Sequence, residues 1–340
     1  MSEAVPALQS RPYVWHDDSW RHCLNLRRTE RLPHALLVSG AAGIGKAAFA
    51  DALAHYLLCQ NPRDDAACGV CKSCLLLRAG SHPDLMRLAP ETDAKTEKTS
   101  KVIKVDQVRE LVDFGAKAAQ LGGYRVVIVT PAHVLNVQAA NALLKSLEEP
   151  GRDTLFLLLT DSPLSLLPTI RSRCQQLALP LPPVASALAW LSPLVGSPET
   201  AALLLRLARG APLAALALHE GGWFSERDGL ARELLAVAEG KATALAAAGR
   251  WQKLGPEALL PALASLLEDV VYVGLGQGMT VKSQDLLPII QRITTCIDTA
   301  AVLRFLQQVA ETRRLLAANI QPQALVDSLW LEWAGARSGQ

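Results

Sequence analysis

Residues 40–47 decide the fold class, and they read Gly40-Ala41-Ala42-Gly43-Ile44-Gly45-Lys46-Ala47. The spacing G-x-x-x-x-G-K is that of a Walker A loop, whose backbone N–H groups and lysine cradle phosphate groups. The Ser or Thr that normally follows the lysine and holds the nucleotide's magnesium ion is here Ala47. Gly40, Gly43, Gly45 and Lys46 are therefore candidate phosphate-binding residues in a loop that lacks one magnesium ligand.

The context of this loop is that of a P-loop fold. An apolar run at 34–39 precedes it, and residues 47–58 follow with a helical pattern. Two further continuous apolar runs, 125–130 and 154–160, are typical of strands buried on both faces of a parallel sheet. Helical patterns at 105–119 and 137–147 alternate with them, which predicts a doubly wound α/β domain.

A change of composition divides the chain. The polar residues 91–104 predict a solvated loop, and a proline cluster near residue 180 ends the α/β part. Beyond it the sequence is rich in Ala and Leu at helical spacing, with glycine and proline breaks. We therefore predict an α/β domain over 1–180, a small helical lid over 181–221 and an all-α C-terminal domain over 222–340.

Composition limits the classes of protein to consider. The 340 residues are 50% hydrophobic and 19% charged, as expected of folded domains, and the formal net charge is only +2. A near-neutral chain is a poor candidate for wrapping nucleic acid by itself. With no long apolar run and no signal-peptide pattern, we expect a cytoplasmic protein that does not bind a membrane.

Four of the seven cysteines lie within sixteen residues, in the order C-x8-C-x2-C-x2-C: Cys59, Cys68, Cys71 and Cys74. Four thiolates at such spacing can close a tetrahedral Zn²⁺ site that has no open position for water, so the metal would be structural. The alternatives are four unliganded thiols or an iron–sulfur cluster. We prefer zinc, because nothing else in the sequence indicates redox chemistry.

The second motif of a working P-loop ATPase is missing. Such an enzyme follows its next core strand with Asp and Glu, which position the magnesium ion and polarise water. This chain has Thr130 and Pro131 there, followed by His133, for which we predict a packing or capping role. We expect no ATP hydrolysis. The loop at 40–47 either binds ATP weakly or is a relic that only forms the turn, and we prefer the relic.

Further motifs make the chain similar to a known family. They are Asn141-Ala142-Leu143-Leu144-Lys145-Ser146-Leu147-Glu148-Glu149-Pro150, Ile170-Arg171-Ser172-Arg173-Cys174 and Gly80-Ser81-His82-Pro83-Asp84. Residues 59–74, the cysteine module, follow the P-loop helix. Together with this module, the motifs resemble the clamp-loader branch of the AAA+ ATPases, and more closely the delta-prime family of bacterial DNA polymerase III subunits. The resemblance covers residues 31–174, and residues 319–325 extend it weakly.

The resemblance implies a role for Arg173 as an arginine finger, donated in trans to ATP bound by a neighbouring subunit. Taken alone, Arg173 would be an ordinary surface arginine. The resemblance also implies a ring with motor and clamp-opening subunits that loads the sliding clamp onto primed DNA, this chain acting as a non-hydrolysing stator. Arg206 and Arg209 fall where related ATPases sense nucleotide, although an exposed helix face is the simpler reading.

Two rival functions stay open at this point. The chain could be an ATP-hydrolysing motor subunit with an unusual site, or a zinc-containing DNA-binding module that acts alone. Elsewhere, tryptophans are expected to pack the two ends of the chain: Trp15, Trp20, Trp330 and Trp333.

Overall fold

The computed structural model describes residues 10–91, 100, 102–251, 255–315 and 322–336. Most of the predicted loop at 91–104, and residues 319–321 of the C-terminal resemblance, lie outside these ranges. The chain divides into two compact units, Met1–Ala187 and Leu188–Gln340. The boundary near residue 180 predicted from composition lies close to this division, whereas the predicted boundary at 221 stays a prediction.

The first unit is built on a five-stranded sheet in which every pair of neighbouring strands is parallel. The strands are β1 (Ala35–Ser39), β2 (Leu85–Leu88), β3 (Arg125–Val129), β4 (Thr154–Thr160) and β5 (Gln175–Ala178). Their spatial order is β2-β3-β4-β1-β5. Ser39 at the end of β1 is level with Thr160 of β4 and Ala178 of β5, so the loop at 40–47 leaves the carboxyl edge between them.

The predicted α/β architecture is confirmed. Strands β1, β3 and β4 coincide with the three apolar runs, and almost all of their residues are buried because helices cover both faces of the sheet. Strands β2 and β5 lie at the two edges and were not predicted. They have four residues each, and most of the side chains of β5 are exposed, so neither carries a strong apolar pattern.

The described part of this unit contains six α-helices that lie wholly within it: α1 (Asp17–Arg28), α2 (Lys46–Leu58), α3 (Lys72–Arg78), α4 (Val105–Gly115), α5 (Val137–Glu148) and α6 (Pro168–Arg171). Helix α4 ends four residues earlier than predicted. Its last residue, Gly115, is buried against the sheet, where its carbonyl accepts a hydrogen bond from Thr154 Oγ1 (3.2 Å). Helix α7 (Val184–Val195) crosses the boundary between the units.

The described part of the second unit contains helices and no strand, as the sequence predicts. After α7 come α8 (Pro198–Leu207), α9 (Pro212–Glu220), α10 (Trp223–Ala238), α11 (Ala244–Trp251), α12 (Pro256–Gly274), α13 (Leu287–Cys296), α14 (Thr299–Leu315) and α15 (Pro322–Gly335). Trp330 and Trp333 are buried in its core, and Trp333 Nε1 donates to Leu234 O (2.9 Å). The predicted packing of the last helix is confirmed.

Among the described residues, no single helix combines the length and the apolar composition that crossing a membrane requires.

Candidate functional site

The phosphate loop has its expected place between β1 and α2. Gly43 and Gly45 have φ angles of 76° and 98°, which residues with a side chain rarely adopt. A Cβ on Gly40 would lie 2.5 Å from Ile44 Cδ1 and 2.6 Å from Leu179 O. All three glycines are thus required by the loop conformation itself, whether or not a phosphate binds.

The lysine of the loop folds back onto the loop. Lys46 Nζ donates to Gly40 O (3.1 Å) and Ala41 O (2.8 Å), and its side chain is largely buried. Ala47 follows in the first turn of α2 and has no hydroxyl to offer a metal ion. The backbone retains the shape of an anion site. The ammonium group of Lys46, which in a working P-loop contacts the phosphates, here donates hydrogen bonds to backbone carbonyls.

Two aromatic residues from outside the loop hold Ile44. Trp15 Nε1 donates to Ile44 O (2.9 Å), and His16 Nε2 lies 2.8 Å from the same oxygen. Because a carbonyl oxygen only accepts, Nε2 must carry the proton of the neutral ring. Burial lowers the pKa of His16, and the nearby charge of Lys46 lowers it further, against the raising effect of the Ile44 bond. The predicted anchoring by Trp15 is confirmed, and His16 joins it.

The carboxyl edge of the sheet lacks the paired acids of an ATPase. Strand β3 is followed by Thr130 and Pro131, neither of which can position a metal ion through a carboxylate. After β4, however, Asp161 Oδ1 lies 3.3 Å from His133 Nδ1, which is also 3.1 Å from Thr160 Oγ1. Sequence reasoning found no carboxylate near His133. The pairing arises because β3 and β4 are neighbours whose ends meet at one edge.

The four cysteines come together beside α2. Cys59 caps the end of α2, Cys71 caps the start of α3, Cys74 lies in the first turn of α3, and Cys68 lies in the intervening loop. Their four sulfur atoms lie within 4.8 Å of one another. The Sγ atoms of Cys59 and Cys71 are 3.9 Å apart, and those of Cys68 and Cys74 are 4.0 Å apart.

These distances fit a metal ion at the centre. With metal–sulfur bonds of about 2.3 Å, a tetrahedral site places its sulfurs about 3.8 Å apart. Backbone N–H groups also point at the sulfurs, from Cys68 to Cys59 Sγ (3.2 Å) and from Cys71 to Cys68 Sγ (3.4 Å). Backbone hydrogen bonds from Val70 and Cys71 lower the pKa of Cys68 to about 6. The arrangement can hold one ion that prefers thiolates.

The cysteine module is fastened to the sheet through the His82-Pro83-Asp84 stretch. His82 Nδ1 accepts from Asp84 N (3.1 Å), so Nε2 is free to donate to Ser73 Oγ (3.0 Å) on α3. Asp84 is fully buried, accepts from the backbone N–H groups of Gln120 and Leu121, and lies 3.4 Å from Arg125 Nη2. The motif therefore joins the module to β3 through a buried ion pair.

On the other side, the module contacts α1. Trp20 Nε1 donates to Asp65 O (3.0 Å), and Arg28 Nη2 donates to Asp65 Oδ1 (2.8 Å). The predicted anchoring role of Trp20 is confirmed, with the cysteine module as the element that it holds.

Arg173 lies between α6 and β5, with 35% of its side chain exposed. Its Nη1 donates to Thr169 O (3.1 Å), and its Nη2 forms an ion pair with Glu148, the last residue of α5. Ser172 Oγ also donates to Thr169 O (3.1 Å), whereas Cys174 is buried in the core beneath. The guanidinium is thus held in place by a carbonyl and a carboxylate, and part of it stays open to solvent.

Arg206 and Arg209, for which an exposed helix face is the preferred interpretation and nucleotide sensing the alternative, are both exposed. Arg209 Nη2 lies 3.0 Å from each carboxylate oxygen of Glu268, within the same unit. Arg206 is on the exposed face of α8. Their nucleotide-sensing role stays a prediction.

Three polar residues of these sites were not found by sequence reasoning. Glu148, His16 and Asp161 each face a partner 25 to 28 positions away along the chain: Arg173, Ile44 and His133 respectively. The sequence did carry one signal, because Glu148 stands inside a motif quoted for the family resemblance. The spacing of that motif gave no indication that Glu148 pairs with Arg173.

Comparisons with known proteins show the family of this chain. Residues 15–183 match the family model "DNA polymerase III, delta subunit", and residues 221–334 match that of its C-terminal part. DNA polymerase III subunit delta' of Pseudomonas aeruginosa is 38% identical over 331 residues, 95% of this chain and 97% of that one. The subunit delta' of Yersinia pestis is 35% identical over 334 residues, 96% of each chain. DNA polymerase III subunit tau of Escherichia coli is 38% identical over 149 residues, 44% of this chain and 22% of that protein. The chain belongs to the family of DNA polymerase III delta' subunits.

Proposed function

We propose that this chain is the non-hydrolysing subunit of a DNA polymerase III clamp loader, in which it lends Arg173 to ATP bound by a neighbouring subunit. One observation carries the proposal. The chain presents a part-exposed, doubly held guanidinium in its Ser-Arg-Cys motif, while its own phosphate loop has neither a hydroxyl at Ala47 nor a carboxylate at Thr130 or Pro131.

The chemistry of the two sites favours this division of labour. Phosphoryl transfer spreads negative charge over the γ-phosphoryl oxygens, and a permanently charged, forked guanidinium stabilises that charge. Arg173 has N–H donors left over for this task, since only two are used by Thr169 O and Glu148. In the chain's own loop, the ammonium of Lys46 already bonds to Gly40 O and Ala41 O. We propose that this loop turns over no ATP.

The metal that suits the four cysteines is zinc, in a structural role. Cys59, Cys68, Cys71 and Cys74 would hold it through four thiolates, and the bound ion would supply cross-linking of the module rather than chemistry. The cross-linked segment lies between α2 and β2 and is tied to Asp84 and Trp20. Zinc would therefore fix one side of the sheet unit from which Arg173 projects.

The proposed partners are the motor and clamp-opening subunits of a hetero-oligomeric ring. The likeness to subunit tau over 149 residues supports a ring of related subunits. The helical domain proposed at 222–340, whose core contains Trp330 and Trp333, is the proposed ring-forming part. The sliding clamp and primer–template DNA would be reached through the complex, in keeping with a net charge of only +2. The proposed compartment is the cytoplasm.

The test of the non-hydrolysing role is the steady-state ATPase rate of the purified chain alone. We expect no turnover above background, and no change in the Lys46→Ala variant. Turnover that Lys46→Ala abolishes would overturn the proposal and make the chain a motor subunit.

A further inference from the structure

We propose that Glu148 is a positioning residue that holds the guanidinium of Arg173 ready for a neighbour's phosphoryl group. The inference rests on the proposed function, since it assigns a partner to the arginine finger. It follows from the contacts around Arg173 and from the place of Glu148 on its helix.

Two contacts constrain the guanidinium from different elements. Nη1 donates to Thr169 O (3.1 Å) on α6, and Nη2 pairs with the Glu148 carboxylate on α5. An arginine whose long side chain rotates freely would point its guanidinium in many directions. Contacts on two separate nitrogens restrict the guanidinium to one orientation. Among the described residues no other acceptor contacts this side chain, so its three remaining N–H groups are available to an incoming phosphoryl oxygen.

The helices that carry these anchors are themselves fixed. Leu147 on α5 and Ile170 on α6 are buried in the same core cluster, so the backbone positions next to Glu148 and Arg173 cannot drift independently. Asn136 Oδ1 accepts from Ala139 N (2.8 Å) and caps the start of α5. The geometry of the pair is therefore set by packing, as a preorganised site requires.

The position of Glu148 at the end of its helix favours pairing with a positive charge. A carboxylate in the last turn of a helix faces the negative end of the helix dipole and is unfavourable there without a counter-charge. Arg173 supplies that charge. The next residue, Glu149, is also exposed and forms no ion pair with any described residue, which makes it a matched control.

The experiment measures ATP hydrolysis by the reassembled loader with Glu148→Ala, Glu148→Gln, Glu149→Ala, Arg173→Ala and the double variant Glu148→Ala with Arg173→Ala. We expect Glu148→Ala to lower the contribution of the neighbouring site to kcat roughly fivefold, the rate equivalent of a part-exposed ion pair, with KM for ATP unchanged. Glu148→Gln should lose less, because its amide oxygen still accepts a hydrogen bond. Glu149→Ala should behave as the unmodified chain.

The double variant separates positioning from a general structural role. If Glu148 acts through Arg173, adding Glu148→Ala to Arg173→Ala should cause no further loss. A loss of the same size in both backgrounds would overturn the inference, as would a rise in kcat, which would mean that the carboxylate restrains the charge. If Arg173→Ala slows the loader and Glu148→Ala does not, only this inference falls. If Arg173→Ala is itself silent, the proposed function falls with it.

Discussion

At the scale of single residues, His16 illustrates how the phosphate loop is kept in shape by groups outside it. Its ring is buried, and its Nε2 donates to Ile44 O alongside Trp15 Nε1. The other ring nitrogen, Nδ1, is buried and has no hydrogen-bond partner in the described structure. Burial lowers the pKa of His16, and the nearby charge of Lys46 lowers it further, so the site favours the neutral ring.

This neutral histidine predicts a pH dependence of stability. In the folded chain the pKa of His16 lies below its ordinary value of 6.5, because burial disfavours the charged ring. At a pH between the pKa of His16 in the folded chain and its pKa in the unfolded chain, the unfolded chain binds a proton that the folded chain does not. The free energy of unfolding therefore falls as the pH drops below about 6.5. Urea unfolding at about pH 7.5 and about pH 5.5 should show a smaller loss of stability for His16→Gln than for the unmodified chain.

The exposed His22 on α1 provides the control. His22→Gln should lose as much stability on acidification as the unmodified chain. Equal losses for His16→Gln and the unmodified chain would contradict the buried, neutral ring.

At the scale of elements, the cysteine module is the segment for which we propose a contribution to folding from a bound metal ion. Its core consists largely of the four sulfurs, with Val70 and Leu75 exposed. A segment this short cannot bury enough apolar surface to fold alone, so metal binding would supply its folding free energy.

Cys71→Ser removes one thiolate from the module and should abolish its stoichiometric zinc. Elemental analysis of freshly purified protein is expected to find about one zinc ion per chain in the unmodified protein and almost none in the variant. The variant should also unfold at lower temperature. Cys296→Ser, which changes a thiol outside the module, should keep the zinc; absence of zinc from the unmodified chain would contradict the site.

The elements also show what a sequence can and cannot predict here. β1, β3 and β4 are covered on both faces, so their continuous apolar runs identified them. β2 and β5 are edge strands of four residues each, too short to show a continuous apolar run of the kind that identified the other three. For the sites, local spacing located the glycines of the loop and the four cysteines, whereas only the family resemblance pointed to Arg173. The contacts of Glu148, Asp161 and His16 depend on which strands and helices are neighbours, and local spacing contains no such information.

At the scale of the whole molecule, the chain combines a sheet unit that carries the loop, the four-cysteine cluster and Arg173 with a unit at 188–340 whose described part is all-α. Its family membership covers both units, since the delta' relative from Pseudomonas aeruginosa aligns over 95% of the chain. On the proposed function, this chain contributes to ATP hydrolysis through the site of a neighbour, and Arg173 is the group that we propose for that role.

The most direct measurement is therefore DNA-stimulated ATP hydrolysis by the reassembled loader with Arg173→Ala in this chain. Arginine fingers contribute on the order of 10³-fold or more to phosphoryl transfer, so the neighbouring site should fall silent and the total rate should drop by the share of that site. Arg152→Ala is the control, because Arg152 is a fully exposed arginine of the same unit. Complex composition, measured on the same samples, should be unchanged. An unaltered rate in a fully assembled complex that contains Arg173→Ala would contradict the proposed role.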